Sequence, residues 1–200
     1  MTDAVLPLLL PLIRDVPDFP KPGVVFKDIG PLLRDPVAYA DTVAALAAAA
    51  RTAVTGRQDG AAGGPGAAVG DDPGFDVVVG IEARGFLFGA PLALHTGTGF
   101  VPVRKAGKLP GRTVGTSYSL EYGEATIEIQ DDAIRSGDRV LVVDDVLATG
   151  GTVAASVDLV RRCGGTVAAV VVLIELGFLD GAAALRAAGY PGPLVSLQKV

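Results

Sequence analysis

The sequence predicts an α/β protein in which a mainly parallel, five-stranded sheet is covered on both faces by helices. Short apolar segments typical of buried strands alternate with potentially helical segments from residue 75 to the end of the chain. The clearest strand, residues 140–143, consists only of valine and leucine. Unusual polar residues follow three of these strands, where parallel sheets bind their ligands. We therefore expect a single domain over residues 1–200, with a site at one edge of its sheet.

The predicted elements begin with a helix from Pro36 to about Ala53, which Asp35 can cap. Before it, within residues 1–30, the proline-rich and acidic stretch 15–28 predicts a loop held by the body of the domain. Residues 55–75 are mostly Gly, Ala, Pro and Asp, which predicts a flexible insertion without chemistry. The remaining expected elements are strands at 76–80, 100–104, 139–144, 166–175 and 194–198, an antiparallel hairpin strand within 117–130, and helices at 86–95, 152–163 and 179–188.

Composition excludes several classes of protein. The net charge of −5 gives no general attraction for nucleic acid or an anionic membrane surface. The apolar opening, residues 5–13, is too short to span a bilayer and contains two prolines. One cysteine, Cys163, allows no internal disulfide, and no cluster of cysteine or histidine predicts a structural metal. We therefore expect a cytoplasmic enzyme that acts on small molecules.

The motif with most chemical content is residues 140–152. Asp144 and Asp145 follow the buried strand, and a loop that ends Thr-Gly-Gly-Thr leads into a helix. Glycines let backbone N–H groups approach a phosphate, and a helix N-terminus adds about half a positive charge. Two acids beside a phosphate loop suit a ligand that also carries hydroxyls or a divalent cation, such as a sugar phosphate. A tight strand–helix turn with two solvated acids is the alternative; nucleotide-triphosphate and dinucleotide motifs are absent.

Five segments together resemble the adenine phosphoribosyltransferase family of type I phosphoribosyltransferases. They are residues 18–29, 80–86, 104–110, 117–123 and 140–152, and the match runs in order from residue 15 to about 180. The resemblance implies the type I fold with a small N-terminal hood and a flexible catalytic loop. It also implies transfer of ribose 5-phosphate from phosphoribosyl diphosphate to N9 of adenine, Mg²⁺ carried mainly by the substrate, and a homodimer.

The resemblance assigns the sugar, its 5′-phosphate and its diphosphate to separate sets of residues. The 5′-phosphate is expected on the loop of Ala148, Thr149, Gly150, Gly151 and Thr152. Asp144 and Asp145 are expected to face the ribose hydroxyls and to stabilise a sugar carbon that becomes cationic. The cations expected on the diphosphate are Arg84, Arg104, Lys105 and Lys108. A cis peptide bond between Glu82 and Ala83 is also implied.

The remaining assignments concern the purine. Glu121 is the candidate for handling the proton at N7 or N9, and Tyr122 lies in the same loop, expected to cover the sugar. The base slot is expected from Val24, Val25, Phe26 and Leu176. Lys27 stands where many relatives have arginine, which puts bidentate hydrogen bonding there in doubt.

Two other functions remain open from the sequence. One is a hypoxanthine, guanine or xanthine phosphoribosyltransferase, in which a lysine after the next strand usually recognises the 6-oxo group. Here that strand ends Leu-Ile-Glu-Leu, at residues 173–176. The other is a non-catalytic regulator that senses phosphoribosyl diphosphate and binds nucleic acid, for which the chain lacks a basic face.

Overall fold

The computed structural model describes residues 10–56, 72–119 and 124–200. The described chain starts with a short 3₁₀ helix, Leu10–Leu12, and a two-stranded antiparallel sheet of β1 (Arg14–Val16) and β2 (Phe26–Asp28). The predicted loop at 15–28 is therefore wrong at both ends. Arg14 forms an ion pair with Asp28 across the two strands, at 2.6 Å. A single-turn helix, α1 (Gly30–Arg34), follows, and we call residues 10–34 the hood.

The long helix α2 (Pro36–Thr55) begins as predicted at Asp35. The Asp35 carboxylate accepts hydrogen bonds from the amides of Val37 and Ala38, at 3.0 and 2.9 Å, a cap of a type that contributes about 1 kcal/mol. With a mean hydropathy of 1.2, this helix is long and apolar enough to cross a membrane. Its Leu46 and Ala50 are fully buried in the core against the sheet, however, so it is a core helix of the domain.

Seven strands form the central sheet. In chain order the other seven strands are β3 (Val77–Ile81), β4 (Gly99–Lys105), β5 (Thr113–Ser119), β6 (Glu124–Gln130), β7 (Arg139–Leu147), β8 (Thr166–Glu175) and β9 (Leu194–Lys199). Their spatial order is β5-β6-β4-β3-β7-β8-β9. The five strands from β4 to β9 in that order are parallel, and the pair β5 and β6 is antiparallel. The predicted mainly parallel sheet is confirmed for five strands, and the antiparallel hairpin of β5 and β6 extends the sheet to seven strands.

Helices cover both faces of the sheet, as predicted. They are α2 on one side with α3 (Arg84–Thr96), and α4 (Gly151–Arg162) on the other side with α5 (Gly181–Ala187). Alternate residues of β7 supply the two cores: Val140 and Val142 belong to the core under α4, and Leu141 and Val143 to the core under α2 and α3. All four are fully buried, which explains the continuous apolar run in the sequence.

Part of the predicted insertion at 55–75 belongs to the folded domain. Thr55 ends α2, and Phe75 is buried in the core. Asp72 and Asp76 both pair with Arg139 at the start of β7, at 2.9 and 2.7 Å. The centre of the insertion, residues 57–71, lies outside the described residues. The two ends of the predicted insertion therefore contact the folded domain, and its flexibility stays a prediction.

The strand β7 extends beyond the predicted 139–144. It continues to Leu147 because Asp144, Val146 and Leu147 pair with residues of β8. Asp144 and Asp145 consequently lie within β7, near its carboxyl end, rather than in a loop after the strand. Their side chains are held by a backbone that is hydrogen-bonded to a neighbouring strand.

Candidate active site

The carboxyl ends of the three neighbouring strands β4, β3 and β7 bring together the polar residues that the sequence singled out. The Nε atom of Arg84, just after β3, lies 2.8 Å from Oδ2 of Asp145 on β7. The Nε atom of Arg104, on β4, lies 3.2 Å from Oε2 of Glu82. Residues that are 22 and 61 positions apart in sequence thus form one charged surface at the edge where parallel sheets bind ligands.

The loop between β7 and α4 forms a small cradle. Residues 146–153 and Asp144 line a cavity of about 70 Å³. Gly150 has φ of +84°, and a Cβ atom there would lie 2.6 Å from the carbonyl oxygen of Gly181 at the start of α5. Because α4 begins at Gly151, its first amides point into this loop without partners in the helix. The geometry suits an anion such as a phosphate monoester.

Asp144 and Asp145 are an unequal pair of acids. Asp145 is 4% exposed, and burial raises its pKa, whereas the nearby Arg84 guanidinium opposes that rise. For the partly buried Asp144, burial and the negative charge of Asp145 raise the pKa well above its usual value. Its Oδ1 atom accepts a hydrogen bond from the Asp145 amide at 2.9 Å. This environment favours holding a proton on the pair, or a ligand that donates hydrogen bonds to it.

One oxygen of the pair is left without a hydrogen bond. Oδ2 of Asp145 is buried and accepts none from the described residues, although Arg84 lies at ion-pair distance. The contact between Arg84 and Asp145 is therefore an ion pair without a hydrogen bond. A buried acceptor of this kind is costly unless a ligand completes it.

Arg84 also contacts the hood. Its guanidinium carbon lies 4.6 Å from the centroid of the Phe26 ring, and Nη1 donates to the carbonyl of Lys27 at 3.2 Å. Arg84 therefore links β2 to Asp145 across the site. Sequence reasoning predicted Arg84 as a diphosphate ligand but did not predict either contact.

Glu82 organises the other predicted cations. Its carboxylate accepts from the Lys105 amide at 2.9 Å as well as from Arg104, and Arg104 in turn donates to the carbonyl of Lys108 at 3.1 Å. Partial burial acts to raise the pKa of Glu82, but these hydrogen bonds and charges lower it overall. The Lys105 and Lys108 side chains are exposed. The predicted cis bond between Glu82 and Ala83 is present. No role was predicted for Glu82 from the sequence, although its carboxyl group next to that bond was the available signal.

The predicted base-slot residues lie mainly in the hood. Phe26 packs edge-on against Phe19, with ring centroids 5.1 Å apart, and Val25 is 48% exposed. The Lys27 ammonium forms an ion pair with Asp15 at 2.6 Å, so its charge is neutralised within the hood. Val24 is partly buried.

Leu176, on the far side of the predicted slot, is also partly buried and packs on the core under α2 and α3. Its amide donates to the carbonyl of Leu147 at 2.9 Å, which fixes it to the end of β7. Glu121 and Tyr122 lie outside the described residues. The strands on either side of them, β5 and β6, end at Ser119 and begin again at Glu124.

Comparisons with known proteins agree with this geometry. The phosphoribosyl transferase domain family matches residues 69–185, so the fold and site define a phosphoribosyltransferase. The adenine phosphoribosyltransferase of Streptomyces coelicolor is 54% identical over 96% of this chain and 95% of its own length. That of Nocardioides sp. is 57% identical over 88% of this chain and 86% of its own. The chain belongs to the adenine phosphoribosyltransferase family, which confirms the resemblance seen in the sequence.

Solved structures support the same assignment. The adenine phosphoribosyltransferase of Thermoanaerobacter pseudethanolicus superposes with a TM-score of 0.81, at 45% identity, covering 98% of this chain and 99% of that one. The Saccharomyces cerevisiae enzyme, crystallised with adenine and an imino-altritol bisphosphate, gives a TM-score of 0.83 at 35% identity, covering 98% and 99% of the two chains.

Proposed function

We infer that this chain transfers the 5-phosphoribosyl group of phosphoribosyl diphosphate to adenine, giving AMP and diphosphate in purine salvage. The observation that carries the inference is the joining of an anion cradle and two buried acids on one strand–loop–helix unit. A sugar phosphate needs both features within a few ångströms. The family relationship specifies adenine as the acceptor.

We propose that the 5′-phosphate binds residues 148–152, where the first residues of α4 and the side chains of Thr149 and Thr152 line the cradle. Asp144 and Asp145 then receive the ribose 2′- and 3′-hydroxyls as donors. One of these hydroxyls would supply the hydrogen bond that Oδ2 of Asp145 lacks among the described residues. Their negative charge also stabilises the cationic character that develops at the sugar carbon as the diphosphate departs.

The diphosphate is placed against Arg84, Arg104, Lys105 and Lys108. Glu82 holds Arg104 and the Lys105 amide in position, so it acts through them and does not touch the diphosphate. Arg84 is shared, because the diphosphate competes with Asp145 for its guanidinium. The leaving group therefore draws Arg84 away from Asp145 as the sugar hydroxyls take its place.

Magnesium is proposed to reach the site with the substrate. The described residues contain no group of three or more His, Cys, Asp or Glu side chains that could hold a metal ion. Asp144 and Asp145 are the acids that would face an ion held by the diphosphate and sugar hydroxyls. When bound, Mg²⁺ would neutralise charge on the leaving diphosphate. These two acids suit an ion whose other ligands come from the substrate and water.

The purine is placed between the hood and Leu176. Val24, Val25 and Phe26 supply the apolar wall, and backbone carbonyls near Val24 would accept from the 6-amino group. Lys27 is not assigned to the base through its side chain, because its ammonium is paired with Asp15. Glu121 is proposed to manage the purine proton, with Tyr122 beside it over the sugar.

We further propose a cytoplasmic homodimer. One cysteine leaves no internal disulfide that would require an oxidising compartment. Three apolar side chains are exposed on α3 and the start of α2: Leu94 is 85% exposed, Val37 68% and Leu87 40%. Leu87 and Leu94 lie two helical turns apart on one face of α3, and a second copy of the chain is the partner proposed for this face.

A base-competition assay tests the function. The purified protein is given Mg²⁺, phosphoribosyl diphosphate and equal concentrations of adenine, hypoxanthine and guanine, and the nucleotides are separated by chromatography. AMP is expected to form at least tenfold faster than IMP or GMP. Faster formation of IMP or GMP would contradict the adenine assignment, and no nucleotide at all would contradict the transferase activity.

A further inference from the structure

A tyrosine of the hairpin is bonded to the phosphate loop. The hydroxyl of Tyr118, near the end of β5, accepts a hydrogen bond from Oγ1 of Thr152 at 3.0 Å. The two residues are 34 positions apart in sequence, and Thr152 is the second residue of α4. No other side-chain hydrogen bond between the hairpin and residues 148–152 is found in the described part of the chain. The contact therefore joins the cradle to β5, a strand that supplies no residue to the lining of the cradle.

This hydrogen bond is not needed to hold the hairpin against the domain. Arg162 Nη1 donates to the carbonyl of Gly115 at 3.0 Å, which ties β5 to the far end of α4. The Tyr118 ring packs against the core beneath α4, and β5 pairs with β6 along seven residues. Removing the Tyr118 hydroxyl would leave all of these contacts in place.

The direction of the hydrogen bond matters for phosphate binding. With Thr152 as the donor to Tyr118, the Thr152 proton is directed away from a phosphate oxygen. A phosphate monoester offers only acceptors near neutral pH, and Thr152 must turn its proton toward it. Tyr118 can then reverse its role and donate its own proton to Oγ1 of Thr152. The hydroxyls of Tyr118 and Thr152 therefore stay hydrogen-bonded to each other with and without bound phosphate. A phenylalanine at position 118 has no hydroxyl and could not donate to Thr152.

Tyr118 also lines a cavity that is open to solvent. Tyr118 and residues 149–151 line this cavity of about 500 Å³ between β5, α4 and α5. Asp158, on α4, is the acid that lines the same cavity, and it forms an ion pair with Arg162 at 2.9 Å.

We propose that Tyr118 is a positioning residue for the 5′-phosphate and that it acts by orienting the hydroxyl of Thr152. The proposal rests on the proposed function, because it takes residues 148–152 as the phosphate cradle. It assigns to the hairpin an indirect part in binding the sugar phosphate, through Thr152. Tyr118 itself is not assigned to the diphosphate or to the base.

The test measures ribose 5-phosphate binding by isothermal titration calorimetry for the wild type and for Tyr118→Phe. Loss of one neutral hydrogen bond is expected to weaken ribose 5-phosphate about threefold to tenfold. The KM for phosphoribosyl diphosphate is expected to rise by a similar factor, with the KM for adenine, the inhibition by diphosphate and kcat unchanged. An unchanged ribose 5-phosphate affinity, or an equal loss for adenine, would overturn the proposal.

Tyr190→Phe is the matched control. Tyr190 is a buried tyrosine whose hydroxyl donates to the carbonyl of Pro193 at 2.8 Å, and it lines no part of the cradle. Its loss is expected to lower Tm at least as much as Tyr118→Phe does, without weakening ribose 5-phosphate. Equal weakening in both variants would mean that general loss of stability, rather than the Thr152 contact, explains the effect.

A double-mutant cycle distinguishes action through Thr152 from direct contact. Thr152→Ser keeps the hydroxyl, whereas Thr152→Val removes it. Tyr118→Phe is expected to weaken ribose 5-phosphate in the Thr152→Ser background but not in the Thr152→Val background. An equal effect in both backgrounds would refute the proposal while leaving the transferase activity intact. The base-competition assay on the wild type judges that activity separately.

Discussion

Arg84 contacts more of the site than its predicted role required. Its sequence position after β3 predicted a diphosphate ligand, but in the folded chain it also stacks on Phe26 and pairs with Asp145. One guanidinium thus touches the hood and the sugar acids at the same time. Because its planar fork suits both the ring face and an oxyanion, a lysine at this position would not replace it.

Single residues at this site could be named from the sequence, but their partners could not. Polar residues at the ends of apolar strands are visible without a structure, which is why Arg84, Arg104 and Asp145 were predicted. The pairing of Lys27 with Asp15 was missed because the hood was predicted to be a loop, and strand register decides which side chains face each other. Glu82 was missed as an organiser of cations for the same reason.

The partly buried acid Asp144 is predicted to reduce the stability of the fold at neutral pH, although it serves the activity. Burial and Asp145 raise its pKa, so the folded state binds more protons than the unfolded state just above the ordinary aspartate pKa. Stability therefore falls as pH rises through that window and remains lowered at neutral pH. Asp144→Asn, which keeps the oxygen that accepts from the Asp145 amide, is expected to raise Tm by about 2–4 °C at pH 7, or ~1 kcal/mol.

The gain in Tm is expected to shrink toward pH 4, where the wild-type carboxyl is protonated, while kcat at pH 7 falls at least about tenfold. Differential scanning calorimetry across pH and a steady-state assay measure the two effects. Asp41→Asn, at an exposed acid of α2, is the control and is expected to change neither. A lower Tm for Asp144→Asn at pH 7 would show that the wild-type charge is compensated in the fold.

At the scale of elements, the strand–loop–helix unit β7–α4 was predicted in type and order, but not in its boundary. Aspartate is depleted in strands, which favours ending β7 before Asp144. Pairing with β8 overrides that preference as far as Leu147. The part of the cradle that contains Asp144 is therefore fixed by backbone pairing between β7 and β8.

The close approach of two backbones makes Gly150 a sensitive position in this unit. Gly150→Ala would place a Cβ at a positive φ and 2.6 Å from the Gly181 carbonyl oxygen. Gly137→Ala is the matched control, because Gly137 has φ of +90° but no atom within 4 Å of the added Cβ. Both variants are expected to lose about 1 kcal/mol from backbone strain.

Gly150→Ala is expected to lose a further ~1–3 kcal/mol from the clash and to raise the KM for phosphoribosyl diphosphate at least tenfold. Urea denaturation and initial-rate kinetics separate the two quantities. Equal kinetics for Gly150→Ala and Gly137→Ala would be inconsistent with a phosphate cradle at residues 148–152.

At the scale of the whole molecule, three features could be predicted because strands alternate with helices along the sequence. They are the parallel sheet, the helices on its two faces, and the ligand site at the carboxyl ends of the strands. The surface that we propose for the contact with a second copy could not be predicted, since single exposed apolar residues are common on monomers. Only the fold shows that Leu87 and Leu94 lie on the outer face of a helix whose other face is core.

Disrupting this face is expected to separate the proposed homodimer. Leu94→Glu would bury a charge in the interface, so the dimer should dissociate at micromolar concentration in size-exclusion chromatography with light scattering. Phe178→Glu is the control, because Phe178 is 74% exposed on a different element, the 3₁₀ helix Gly177–Leu179. A dimer that persists in Leu94→Glu, or a monomeric wild type, would exclude this interface.

The pairing of Arg139 with Asp72 and Asp76 has a practical consequence. It fastens the chain at the amino ends of β3 and β7, and Gly74 lies close to Val54 and Thr55 at the end of α2. The described residue that follows the gap at 57–71, Asp72, thus lies at the amino ends of β3 and β7, whereas the cradle follows the carboxyl end of β7. We therefore expect an affinity tag or a fluorescent label inserted within 57–71 to leave the kinetics of the enzyme unchanged.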